Sequence, residues 1–156
     1  MPVPDFVVQL RSKIGHDPLW LPGVGAVVYN DDGRVLLGKR ADNGQWTIIT
    51  GMLDPGEEPA PGIVREVFEE TGVHVEVEHL ASVEVVGPVT FPNGDVCSFL
   101  SLVFSCRYRG GEARVNDDES TDVGWFSLDA LPELNDRHRH LVESARHAGG
   151  VPFFVR

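Results

Sequence analysis

The stretch Gly51 to Val73, GMLDPGEEPAPGIVREVFEETGV, constrains this chain more than any other. It gathers Glu57, Glu66, Glu69 and Glu70 around one arginine, Arg65, between two glycines, Gly51 and Gly72. Its second half predicts a short helix fed by a loop. Pro59 and Pro61 stand at the entry, where proline is tolerated because first-turn N–H groups have no intrahelical partner. Glu57 and Glu58 lie beside that end, where the helix dipole favours negative charge. Ile63, Val64, Val67 and Phe68 recur at helical spacing and predict one apolar stripe. Gly72 reads as a left-handed stop. At about 100° per residue, Glu66, Glu69 and Glu70 are expected on the face away from the stripe.

Such an arrangement is locally unfavourable. Glu66 and Glu70 are like charges one turn apart, which costs a few tenths of a kcal/mol. All three acids lie near the negative end of the helix dipole, at roughly 0.3–1 kcal/mol each. Local rules broken without visible compensation point to a functional site. The natural compensation is a hard divalent cation, Mg²⁺ or Mn²⁺, held by carboxylates, water and substrate oxygens. The alternative is a solvated acidic helix face.

The full spacing, G-x5-E-x7-R-E-V-x-E-E-x-G-V, resembles the Nudix box of the Nudix hydrolases, and every defining position is met: Gly51, Glu57, Arg65, Glu66, Val67, Glu69, Glu70, Gly72 and Val73. The resemblance implies an α+β domain of Nudix type, an α/β/α sandwich with a mixed β-sheet. It also implies hydrolysis of a diphosphate linked to another moiety, by attack of water on phosphorus with Mg²⁺ or Mn²⁺ as cofactor. It makes Glu66, Glu69 and Glu70 the metal set, Glu57 an outer or second-metal ligand, and Arg65 the residue that orients a glutamate. Many relatives carry W-x-x-P-G-G before the box; this chain has Trp46-Thr47-Ile48-Ile49-Thr50-Gly51. The backbone carbonyl that ligates metal in the family is offered here by Thr50. The general base is a box glutamate, Glu66, or a loop acid; Glu119, with Asp118 behind it, is the loop candidate.

The chain of 156 residues suits one domain spanning 1–156. A formal charge of −11 disfavours binding to nucleic-acid polymers, which are gripped mainly by Lys and Arg on phosphates. The expected partner is a small-molecule nucleoside diphosphate derivative. No apolar run reaches the length of a membrane span, and MPVPDFVVQLRSK lacks a signal-peptide pattern, so the expectation is a cytoplasmic protein. Cys97 and Cys106 read as buried small residues in a reducing compartment. A homodimer is the assembly the family suggests.

In chain order, residues 5–15 predict a short amphipathic helix with Phe6, Leu10 and Ile14 on one side. Gly23–Tyr29 and Arg34–Lys39 predict a hairpin closed by Asn30-Asp31-Asp32-Gly33. Lys39 and Arg40 end it as a basic pair suited to phosphate. Gln45–Thr50 predicts a strand leading into Gly51. Val75–Val86 predicts a long strand, with Gly87-Pro88 and Pro92-Asn93-Gly94 breaking the pattern as a hairpin connection and Asp95–Tyr108 returning. The acidic loop Asn116–Ser120 precedes a last strand, Asp122–Phe126, and Asn135–Ala148 predicts a C-terminal helix carrying His138, His140 and His147, stopped by Gly149-Gly150. WFSLDALPEL resembles the W-F-x-x-x-x-L-P segment common in the family. Pro88, fifteen residues after Val73, resembles a marker of ADP-ribose-type pyrophosphatases and is counted with Lys39 and Arg40 as a substrate-side residue. A nucleoside triphosphate pyrophosphohydrolase and a non-catalytic nucleotide sensor are the competing readings.

Overall fold

The computed structural model describes residues 3–146 and 150–156. The organising strand is β1 (Leu19–Tyr29), of sequence LWLPGVGAVVY. Two antiparallel partners share one of its edges. β2 (Val35–Arg40) meets it at Tyr29↔Val35, and β4 (Ile49–Met52) takes the stretch Gly23 to Ala26. Its other edge runs parallel to β6 (Val96–Gly110), from Leu19↔Cys97 to Tyr29↔Arg107. That ladder explains why β1 starts at Leu19, ahead of the apolar run at Gly23. The expected hairpin turn is present, with the Asn30 side chain accepting from the N–H groups of Asp32 and Arg34. β2 then diverges from β1 to pair with β3 (Trp46–Thr47) and β7 (Ser120–Phe126).

Alternation along the strands builds two cores. Val24, Ala26 and Val28 of β1, Leu36 of β2 and Phe104 and Cys106 of β6 pack against Ile63 and Val67 of helix α2 (Pro59–Thr71). Val27, Val35, Leu37 and Val103 point the other way, against Leu141, Val142 and Ala145 of helix α3 (Asp136–Ala145). The result is the expected α/β/α sandwich on a mixed sheet. Helix α1 (Asp5–Ile14) closes one end over Leu21 and Cys97. Its buried residue is Val7, beside which Phe6 packs partly buried, while Leu10 is 38% exposed, so the docked face holds Phe6 but not Leu10 of the expected side. Cys97 and Cys106 are both free and buried. α3 is capped by Asn135, as expected. His147, Ala148 and Gly149, placed in or after this helix by the sequence pattern, lie outside the described residues.

Two expectations change. β5 (His74–Thr90) does not break at Gly87-Pro88; a register shift between Val86 and Val89 absorbs the proline, and the turn comes at Phe91–Asp95. A bulge tolerates proline because the extra residue needs no ladder hydrogen bond. The strand expected over Gln45–Thr50 is two strands, broken at Ile48 where the chain passes from β2 to β1. The freed Ile48 N–H donates to Nδ1 of the buried His138 at 3.1 Å. A buried backbone N–H needs such a partner, and this role for a helix histidine was not legible in the sequence.

His138 Nδ1 must stay unprotonated to accept this bond. Burial, with Arg137 and Arg40 nearby, lowers its pKa from 6.5 to about 4. The unfolded chain therefore binds more protons than the folded one between these values. Stability from this group is complete above about pH 6.5 and falls as pH drops towards 4, by about 3 kcal/mol in all. Urea unfolding of wild type and His138→Asn across pH 4.5–7 should show that component in the wild type alone; parallel profiles would exclude His138 as its source.

Candidate active site

Helix α2 has an unusual buried face. Residues 63, 66, 67 and 70 repeat at i, i+3, i+4 and i+7, the spacing of a core stripe. Ile63 and Val67 are fully buried, as expected, but so is Glu66, and Glu70 is 5% exposed. The carboxylates therefore flank the apolar stripe instead of facing away from it. Phe68, expected in the stripe, is 42% exposed and stacks on His74 with ring centroids 4.6 Å apart. Only Glu69 of the trio lies on the exposed side. Gly72 ends the helix in the left-handed conformation, φ 70° and ψ 10°, with its N–H on Phe68 O. Both buried acids are incompletely paired: among the described residues, Glu66 Oε2 and Glu70 Oε1 have no hydrogen-bond partner.

Arg65 ties the cluster together. It grips Glu57 through Nε–Oε1 and Nη2–Oε2, both 2.8 Å. Its Nη1 donates to Glu66 Oε1 at 3.1 Å and to Glu69 Oε2 at 3.0 Å. Glu57 also accepts from Asp54 N–H, which fixes the loop before the helix. Arg65 first, then its own loop, hold the Glu57 carboxyl below its usual range. Burial pushes Glu66 up to about 7 against the pull of Arg65. Glu70 lacks that arginine, and burial, with Glu119 and Glu66 beside it, pushes it up to about 9. Gly51 leaves room for this packing. A Cβ there would overlap Glu66 Cδ and Cγ and lie 2.7 Å from Oε1.

Glu70 opens onto a cleft of about 250 Å³. Thr50, Arg40, Asp118 and Glu119 line it, with Gly38, Thr47 and Ser120. The structure thus brings Glu119 and Arg40, distant in sequence, to the same hollow as the box acid. Arg40 holds Asp42 by two bonds, Nε–Oδ1 at 2.8 Å and Nη2–Oδ2 at 2.5 Å. The two members of the basic pair separate: Lys39 alternates to the other face of β2 and does not line the cleft. Pro88 is exposed on β5 and does not line it either. Pro88 enters the substrate-side set by its resemblance to a family marker and Lys39 by its charge beside Arg40, and neither property carries information about facing.

The donor set fits a hard divalent cation. Glu66 and Glu70 each keep a buried oxygen without a protein partner, and carboxylate oxygens are the ligands Mg²⁺ and Mn²⁺ prefer. Glu57 and Glu69 are paired with Arg65. Among the described residues, no three acidic, histidine or cysteine groups converge as a ready-made metal cage. The fit therefore rests on donor chemistry and on the two orphaned oxygens.

A carboxylate-bearing helix against a mixed sheet, opened by a loop at a glycine, defines a class of hydrolase domain. The NUDIX domain family matches residues 19–145, and the chain belongs to the Nudix hydrolase family. This membership places it among the Nudix pyrophosphohydrolases. A MutT-like protein of Streptomyces ambofaciens is 40% identical over 116 residues, which cover 74% of this chain and 70% of that protein. The 8-oxo-dGDP phosphatase NUDT18 of Homo sapiens is 36% identical over 150 residues, 91% of this chain but 42% of that protein. The chain thus spans less than half of the human relative. The solved structure of a MutT NUDIX hydrolase from Burkholderia pseudomallei superposes with a TM-score of 0.66 at 31% identity, covering 81% of this chain and 98% of that one.

Gly51→Ala tests the packing of Glu66. Forcing a methyl group into a filled site costs about 1–3 kcal/mol and displaces the carboxylate. The variant should melt lower than wild type and lose the rise in melting temperature that Mg²⁺ gives the wild type. An undiminished response to Mg²⁺ would show that Glu66 need not sit on the Gly51 backbone.

Proposed function

We propose that the chain is a metal-dependent hydrolase that cleaves the pyrophosphate bond of a nucleoside diphosphate carrying a further group. The observation that carries this reading is the buried pair Glu66 and Glu70, each with an unpartnered oxygen, beside a cleft that also holds Glu119 and Arg40. A bound Mg²⁺ or Mn²⁺ supplies charge neutralisation at the pyrophosphate and lowers the pKa of an attacking water. Glu66 and Glu70 are its proposed holders, with Thr50 O, Glu69 and Glu57 completing the set. Arg65 sets the direction of Glu57, Glu66 and Glu69 through its hydrogen bonds.

Arg40 is the one cation among the described residues lining the cleft, and it is placed to meet a substrate phosphate. Glu119 lies on the same hollow as Glu70 and is the proposed acceptor of the proton from water. Water adds to phosphorus, the anhydride P–O bond breaks, and the departing phosphate keeps the electron pair. Glu66 is the alternative base; its bond to Arg65 argues for a ligand's role. The domain works as the single unit 1–156 in this reading.

ADP-ribose is the first substrate to test. The exposed position of Pro88 gives that choice no support from the cleft. The human relative, named an 8-oxo-dGDP phosphatase, favours a second choice, an oxidised purine nucleoside diphosphate. The net charge of −11 opposes a polyanionic partner. The protein is to be incubated with Mg²⁺ or Mn²⁺ and ADP-ribose, 8-oxo-dGDP, nucleoside triphosphates and nucleotide sugars, with products separated by chromatography. AMP and ribose phosphate from ADP-ribose would establish the first choice; selective loss of phosphate from the oxidised nucleotide would replace it. Binding without turnover of any compound would refute the enzymatic reading.

Glu70→Gln separates metal holding from folding. Its kcat should fall by about two or more orders of magnitude, on the scale of other catalytic electrostatic groups. Mg²⁺ should raise the melting temperature of the wild type by linkage and leave that of the variant unmoved. A variant that keeps both responses would remove Glu70 from the metal set.

A further inference from the structure

The loop between β6 and β7 is fastened to the C-terminal end of α2, and one residue supplies most of the fastening, half of it through its side chain. The last four carbonyls of a helix have no intrahelical donor. Here each finds one. Phe68 O accepts from Gly72 N–H at 2.8 Å and from Asn116 Nδ2 at 3.2 Å. Glu69 O accepts from Asn116 Nδ2 at 3.0 Å. Glu70 O accepts from Asn116 N–H at 3.1 Å, and Thr71 O from Arg114 N–H at 3.0 Å. Asn116 thus serves three of the four carbonyls, including those of Glu69 and Glu70 themselves. The same contact point is shaped by Gly111, where a Cβ would collide with Gly72 O.

From Asn116 the chain reaches the cleft within a few residues. Asp117 Oδ1 accepts from Glu119 N–H at 3.0 Å, which folds the segment into a tight turn. Glu119 O then accepts from Ala41 N–H at 2.8 Å, and Ser120 pairs with Arg40 at the end of β2. Asp117, Asp118 and Glu119 form a strap with an anchor at each end. One end is held on the helix that carries Glu66, Glu69 and Glu70; the other is held on β2. The distance from Glu119 to Glu70 across the cleft therefore depends on both anchors, and Asn116 is the anchor on the helix.

We propose that Asn116 is a positioning residue: its amide holds the strap so that Glu119 stands at its working distance from the box glutamates. This rests on the reading of Glu119 as the proton acceptor given above. Without the side-chain amide the strap stays tied to β2, while only the backbone N–H groups of Asn116 and Arg114 still fix its register against α2. A misplacement of about 1 Å at a reacting group costs up to about a hundredfold in rate, and substrate contacts at Arg40 are untouched.

The experiment is a double-mutant cycle with Asn116→Ala, Glu119→Gln and the combined variant. Turnover is measured with Mg²⁺ on whichever of ADP-ribose and 8-oxo-dGDP the wild type cleaves faster. Backbone amide exchange of residues 111–120 is read in parallel and needs no activity. The expectation is a kcat loss of roughly ten- to a hundredfold for Asn116→Ala with KM within about twofold. In the Glu119→Gln background the same substitution should cost less than about twofold, because the group it positions is gone. Exchange at Asp117–Glu119 should rise. Equal losses in both backgrounds, an unchanged kcat, or unchanged exchange would overturn the proposal while leaving Glu119 in place. A Glu119→Gln enzyme as fast as wild type would instead refute the reading of Glu119, and the proposal with it. Should Asn116→Ala not fold, Asn116→Ser, which shortens the side chain and keeps one donor, goes through the same cycle under the same criteria.

Discussion

Two carboxylates occupy positions on α2 where the fold would ordinarily place leucine or valine, and the site is arranged around that fact. Burying an unpaired carboxylate is costly enough that the group takes up a proton or finds a cation. Glu66 and Glu70 meet this cost differently. Glu66 leans on Arg65 and on the bare backbone of Gly51. Glu70 has neither and is held most strongly in the protonated form. Ile63 and Val67, between them on the same face, anchor the helix in the apolar core. The helix is stable because half of its stripe is ordinary, and it is chemically potent because the other half is not.

The same economy of cations extends across the cleft. A chain carrying −11 formal charge places one arginine inside the box and one on the opposite wall. Arg65 is committed to Glu57, Glu66 and Glu69. Arg40 is paired with Asp42 at the cleft mouth, and Glu119 adds to the negative field around it, as Glu70 does once it is ionised. A pyrophosphate entering this field would meet more carboxylate than guanidinium. A divalent cation held by Glu66 and Glu70 would reverse that balance locally, and substrate binding and metal binding would then be linked, each needing the charge the other brings.

Much of this was legible in the sequence, for definable reasons. The box announces itself because its glycines, its arginine and its acids have fixed offsets, and Gly72 ends the helix as such a glycine should. The two layers of helix follow from the alternation of Val and Leu in β1, β2 and β6. The burial of Glu66 and Glu70 was missed because helical stripes were assigned by apolarity, so Phe68 was counted inward and the glutamates outward. Wheel geometry alone, with Ile63 and Val67 as its centre, puts both glutamates beside them. The parallel pairing of β1 with β6, the turn of Lys39 away from Arg40's side, and the exposed site of Pro88 depend on strand partners far apart in the chain. So do the bond from Ile48 to His138 and the cap formed by Asn116, which no local pattern encodes.

The placement of the cleft follows from the topology. One edge of β1 cannot serve two antiparallel strands along its whole length, so β4 takes Gly23 to Ala26 and β2 keeps only the end at Tyr29. Where β2 and β4 part, a wedge opens, and its walls are Gly38 and Arg40 on one side and Ile48 to Thr50 on the other. Gly38 keeps the wedge clear, since a Cβ would stand 3.2 Å from Ser120 Oγ. The divergence leaves Ile48 without a ladder partner, and His138 from α3 supplies one from below. From the other face α2 offers Glu70 to the same opening. A single topological necessity, the splitting of one strand edge, thus creates the space, demands the histidine and leaves the opening that Glu70 enters.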